Sequence, residues 1–179
     1  MSETQDKLLL NRLTIYYNDP VKLDKMLSII NGESRISLRI VDWFATNYAK
    51  AHYTVIQLDD ERRIKVYVDY KLNLKAYSKK RFDPFCRWER ITIPKDHTCD
   101  IQTTIGQLNF FRWAMDNKII DYIERYYKHI EADMNTRNST SKNKTSVSMN
   151  KTRKKREELS KSISRSIHKE DVETTLKFD

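Results

Sequence analysis

The sequence predicts an α+β domain in which helices, one of them long, pack on a small antiparallel sheet and a basic flexible tail follows. Three observations carry this prediction. Apolar residues recur at helical spacing in several windows before position 134, which marks amphipathic helices. Two short runs rich in β-branched and aromatic residues flank a polar turn, as in a hairpin. From Asn135 onward the composition shifts to Ser, Thr, Asn and Lys, which bury too little to repay their ordering entropy. The 179 residues accommodate a compact domain over 1–134, a linker over 135–152 and a basic tail over 153–179.

In chain order, Leu8 to Tyr17 is apolar without clean periodicity and reads as a first helix or an edge strand. Asp19-Pro20 is an N-cap followed by proline at the first helical position. Leu23, Met26, Leu27 and Ile30 then keep helical spacing until Asn31-Gly32. Ser34 is placed to cap a second helix reaching about His52, with Ile36, Ile40, Val41, Phe44 and Tyr48 on one face. Thr54–Leu58 and Arg63–Val68 read as two strands around the acidic turn Asp59–Arg62, and Arg90–Ile93 as a third, stopped by Pro94. Between them Tyr67, Tyr70, Leu74 and Tyr77 return to helical spacing, with Asp69 as a cap for a short helix up to about Lys79.

Thr104-Ile-Gly-Gln107 fits a capping box and opens a single long helix to Met134. Its stripe is Leu108, Phe111, Met115, Ile119, Tyr122, Ile123, Tyr126, Ile130 and Met134. In the tail, Thr152–Lys161 suits a short charged helix, and Val172–Phe178 alternates weakly, as an added strand or a partner-binding segment would.

The charge of +9 is uneven. Residues 135–170 hold eleven Lys/Arg against three acids, and 171–179 carry −2, leaving +3 for 1–134. A polycationic tail is the expected form of an arm that visits an anionic polymer. The cluster Arg153, Lys154, Lys155, Arg156 matches a nucleic-acid or nuclear-localisation patch, and a solvated arm is the competing reading. Serines 160, 162, 164 and 166 lie among those cations, where phosphate would cancel positive charge.

The run Lys75 to Arg90 interleaves Lys75, Lys79, Lys80, Arg81, Arg87 and Arg90 with Tyr77, Phe82, Phe85 and Trp88 around an Asp83-Pro84 step. Cations track phosphates and aromatic faces stack on bases, so the run suits nucleic acid. In the competing reading Phe82, Phe85 and Trp88 anchor a proline-punctuated loop to the core while the cations flank it. Asp83 is expected to fold back on the backbone and hold that turn.

Catalytic material is thin. Two glycines, Gly32 and Gly106, exclude dinucleotide-binding and P-loop cradles, which need several close together. His52, His97, His129 and His168 are scattered, and Asp59-Asp60-Glu61 lacks an acidic partner cluster, so no triad or metal nuclease is legible. Cys86 and Cys99 lack the close second pair of a zinc finger and read as reduced thiols; a site built from them with His97 and His52 fits no structural zinc spacing well. No cofactor or metal is expected. No window approaches the length of a membrane span, and no apolar signal region opens the chain, so the expectation is a soluble protein with no membrane partner.

Four blocks of sequence resemble a small family of nucleocytoplasmic large DNA viruses, iridovirus-, mimivirus- or marseillevirus-like. They are Ile36–Lys50, Leu74–Arg87, Gly106–Met115 and Lys155–Ser160, and they occur in this order. The family is uncharacterised, so the resemblance implies a viral setting and carries over no catalytic residue. It also implies a place in the host cytoplasm or nucleus, or in the virion. Together with the charge layout, it leads to the expectation of a non-enzymatic viral protein that binds DNA or RNA, in genome packaging or late transcription. The alternative is a virion structural or assembly protein that contacts other viral proteins.

Overall fold

The computed structural model describes residues 2–58, 62–94 and 100–145, with side chains described over 5–58, 62–94 and 100–137. The architecture is α+β: helices dominate, and two separate two-stranded antiparallel sheets sit among them. The compact unit covers residues 1–142.

Helix α1 (Ser2–Tyr17) resolves the first ambiguity in favour of a helix. Leu9, Leu13 and Tyr17, one turn apart, are buried, and the Tyr17 hydroxyl donates to the Leu108 carbonyl at 2.8 Å. Helix α2 (Pro20–Ile30) starts as expected, the Asp19 carboxylate accepting from the Val21 N–H at 3.1 Å. It ends as Gly32 takes φ +76, a left-handed conformation that only glycine adopts freely.

Ser37, not Ser34, caps helix α3 (Leu38–Trp43) by accepting from the Ile40 N–H. Ser34 instead accepts from the Ile36 N–H two residues on, a local turn that competes with capping. Beyond Trp43 the helix passes through a π segment (Phe44–Tyr48) and a final turn, α4 (Ala49–Ala51).

Strands β1 (Val55–Gln57) and β2 (Arg63–Lys65) pair with Ile56 opposite Ile64. The expected second strand is cut short: helix α5 (Val66–Arg81) already begins at Val66, not at an Asp69 cap. Burial decides this. Val66 is fully buried and Tyr70, Leu74 and Tyr77 follow on the same side, so tertiary packing overrides the β propensity of Val-Tyr-Val. At Ser78, φ 62 and ψ 169 interrupt the helix.

The third strand exists as β3 (Ile91–Pro94), but it pairs with β4 (Asp100–Thr103) in a sheet of its own, Ile93 opposite Ile101. The first hairpin therefore gains no third strand from it. Thr104 then caps helix α6 (Ile105–Asp116), its hydroxyl accepting from the Gln107 N–H at 3.1 Å. Gly106 to Phe111 are all buried, as are Trp113 and Ala114, which makes α6 the centre of the core.

The single long helix expected from Thr104 to Met134 is three helices. Lys118 adopts a left-handed φ 53, ψ 25, and α7 (Ile119–Arg125) and α8 (Tyr127–Thr145) follow. The turn redirects the chain so that Ile119, Ile120 and Ile123 all enter the core, with Ile130 and Met134 continuing it. Helix α8 also continues past the expected boundary at Met134 to Thr145. Its extension is supported by Thr136 donating to the Ala132 carbonyl and Arg137 to the Asp133 carboxylate, each one turn away.

Candidate nucleic-acid interface

The inner half of the Lys75–Arg90 run is built into the core. Phe82 is 2% exposed, with Phe110 and Trp113 ring centroids at 5.3 and 5.4 Å and Tyr70 and Tyr77 rings around it. The loop seats on the start of α6 through backbone and amide groups. The Asp83 N–H donates to the Gly106 carbonyl, the Gln107 amide to the Pro84 carbonyl and the Asn109 amide to the Arg81 carbonyl. Gly106 makes that approach possible: a Cβ there would stand 2.8 Å from the Lys80 carbonyl oxygen.

Asp83, 3% exposed, accepts from Arg87 Nε and Nη2 at 2.8 and 2.7 Å and from the Phe85 N–H at 3.3 Å. This is the expected turn-holding acid, with a bidentate arginine added. Arg87 also lies over the Phe85 ring, 5.0 Å from its centroid. Arg81 is held by the Asp6 carboxylate and the Gln5 side chain on α1. Two of the predicted binding cations, Arg81 and Arg87, are thus engaged in holding the fold, and Tyr77 packs against Phe82.

A half-buried acid completes this inner cluster. The Asp42 carboxyl is pushed up to about 6, first by burial and then by the charge of Asp83, with Arg87 opposing. Tyr70 beside them is raised to about 12, mainly by burial and further by the same two acids. Burial also raises the Cys86 thiol, against which the nearby Arg90 works in the opposite direction. Among the described residues no three His, Cys, Asp or Glu side chains gather as a metal site requires.

The outer half of the run faces solvent. Lys75, Lys79, Lys80 and Arg90 are exposed, and Trp88 is 45% exposed. Sequence reasoning missed the neighbours that extend this surface. Lys65 and Lys71 are exposed at the end of β2 and on the outer side of α5, ahead of Lys75. None of these five lysines makes an ion pair among the described residues.

The local charge explains why. Residues 62–94 carry ten Lys/Arg against Asp69, Asp83 and Glu89, a balance of +7, whereas residues 1–134 together carry only +3. Asp69 faces inward, accepting from the Trp113 indole N–H at 2.5 Å and from Asn73, and Asp83 is buried. Glu89 is the one exposed acid of the segment. The near-balance of the domain as a whole therefore hides a strongly cationic segment. The other predicted binding residues, Arg153, Lys154, Lys155 and Arg156, lie outside the described residues, as do His97, Cys99, His168 and the Asp59–Glu61 turn.

A model described as a family of unknown function (DUF7197) matches residues 2–174. The chain belongs to that family. An uncharacterised protein of Acanthamoeba polyphaga mimivirus is 42% identical over 153 residues, 81% of this chain and 55% of the relative. The chain thus spans about half the length of the curated relative it matches. No solved structure matches it. The family is therefore one of large DNA viruses, as the four sequence blocks imply. No described helix is long and apolar enough to cross a membrane.

Proposed function

We propose that this protein is a non-enzymatic binder of DNA or RNA that holds the phosphate backbone through the cationic face of residues 62–94, assisted by the Arg153–Arg156 cluster. One observation carries the reading. The segment's +7 is concentrated outward, because Asp69 and Asp83 are turned into the fold while Lys65, Lys71, Lys75, Lys79 and Lys80 remain exposed without acidic partners among the described residues. Such a face attracts a polyanion by releasing its counterions. Trp88, half-exposed beside Arg87 and Arg90, offers a ring on which an unpaired base stacks. Sequence-independent backbone binding of this kind suits genome packaging or late transcription in a large DNA virus.

The test is fluorescence anisotropy with random-sequence DNA and RNA oligonucleotides over a salt series. Each lost phosphate contact lowers the slope of log K against log salt by about 0.9 on duplex and about 0.7 on single strands. K79E/K80E should therefore weaken binding and flatten the slope by about 1.4 to 1.8. Truncation after Thr145 should flatten it further. Identical affinity and slope in K79E/K80E and the parent would remove α5 from the interface.

A further inference from the structure

We propose that the groove between β2 and the outer side of α5 is a docking site for an acidic amphipathic segment of a partner protein. Val68 and Leu72, one helical turn apart, are 51% and 60% exposed, and nothing among the described residues covers them. Tyr67 and Leu74 extend the apolar wall along α5. On the other side Arg63, Ile64 and Lys65 of β2 close the groove against Val68 and Leu72, so the two stretches share a floor. The resulting surface is shallow and open, apolar along α5, and flanked by the cations Arg63, Lys65, Lys71 and Lys75. Asp69, the acid at this rim, is occupied by Trp113 and Asn73.

The occupant follows from that combination. Phosphates gain nothing from exposed valine and leucine, and Tyr67, which Lys50 already covers at 5.6 Å, is the aromatic ring of the lining. A lipid surface calls for a long apolar helix face, whereas the exposed apolar part of this one is Val68 and Leu72, set among four cations. An amphipathic helix with leucines at i, i+3, i+4 and i+7 and glutamates on either side satisfies both floor and rim. The site shares the rim cations Lys65, Lys71 and Lys75 with the nucleic-acid reading, whereas Val68 and Leu72 belong to it alone, so V68S/L72S separates the two.

The test uses the full chain and a fluorescein-labelled synthetic 18-residue helix with leucines at that spacing and glutamates flanking them, beside a scrambled peptide of the same composition. The amphipathic peptide should bind and the scrambled one should bind at least about tenfold more weakly. V68S/L72S should weaken the interaction by about tenfold or more, from the lost apolar burial. K71E/K75E should weaken it and reduce its salt dependence. Both side chains of the first pair are exposed, so circular dichroism and the melting temperature should stay unchanged; the milder L72A provides a second variant with the same expected direction. Equal binding of the two peptides, or no effect of V68S/L72S, overturns the proposal. So does an outcome in which V68S/L72S instead abolishes self-association, binding to phosphatidylserine vesicles or binding to DNA.

Discussion

Replacing Asp42 by asparagine removes a carboxylate that the fold holds in an unfavourable place. In the unfolded chain this carboxyl ionises near 3.8, and in the folded protein it is raised to about 6 by burial and by the neighbouring charge of Asp83. Below both values the two states are equally protonated and the group contributes nothing. Between them the folded state keeps a proton that the unfolded chain has released, so stability falls as pH rises from about 4 to about 6. Above that range the penalty is constant. A shift of about two units corresponds to about 3 kcal/mol, and because Asp42 is only half-buried, solvent screening brings the expected penalty to about 1–2 kcal/mol. D42N carries no charge at any of these pH values. It should raise the unfolding free energy by about 1–2 kcal/mol at pH 7.5 and by much less at pH 4.5. Urea unfolding followed by tryptophan fluorescence at the two pH values measures the difference. A D42N variant that is less stable at pH 7.5, or equally altered at both pH values, would refute the reasoning: it would mean that the carboxylate is held by attraction to Arg87 more than it is opposed by burial and Asp83.

Three further outcomes are expected. G106A places a methyl group where the Lys80 carbonyl oxygen lies 2.8 Å away, and backbone on both sides must move, so stability should fall by about 1–3 kcal/mol by thermal or urea unfolding; an unchanged midpoint would show that the loop does not seat tightly on α6. S78G relieves a backbone conformation (φ 62, ψ 169) that serine rarely adopts and should stabilise the protein by about 1 kcal/mol, whereas a loss would show the serine side chain to be needed there. K79E/K80E should leave the melting curve essentially unmoved while weakening nucleic-acid binding, because both side chains are exposed and make no ion pair among the described residues. A large loss of stability would instead assign them a place in the fold.

Local signals were legible where local chemistry decides. The Asp19-Pro20 start of α2, its Gly32 exit, the Thr104 cap of α6 and the hairpin around residues 59–62 each depend on a few adjacent residues. Boundaries failed where packing outweighed propensity. Val66-Tyr-Val68 reads as strand but is the first turn of α5, because a helix puts Val66 and Tyr70 into the core. The break at Lys118 carries no glycine or proline to announce it, so a continuous apolar stripe concealed three helices. At the candidate interface the cations of the Lys75–Arg90 run were visible as a group, but their division into structural and exposed members was not.

The sequence by itself determined the fold class, the viral family, the caps that begin α2 and α6, and the presence of a cation- and aromatic-rich run at 75–90. These are properties of composition, short-range spacing or ordered similarity. Tertiary structure decided which charges remain available. Arg81 meets Asp6 across 75 positions, Asp69 meets Trp113 across 44, and Phe82 closes a ring cluster with Phe110 and Trp113. Such pairings depend on elements far apart in the chain being brought within hydrogen-bonding or van der Waals distance, which no local pattern encodes. By turning two of the segment's three acids inward, that packing leaves five lysines of residues 62–94 exposed without an ion pair among the described residues.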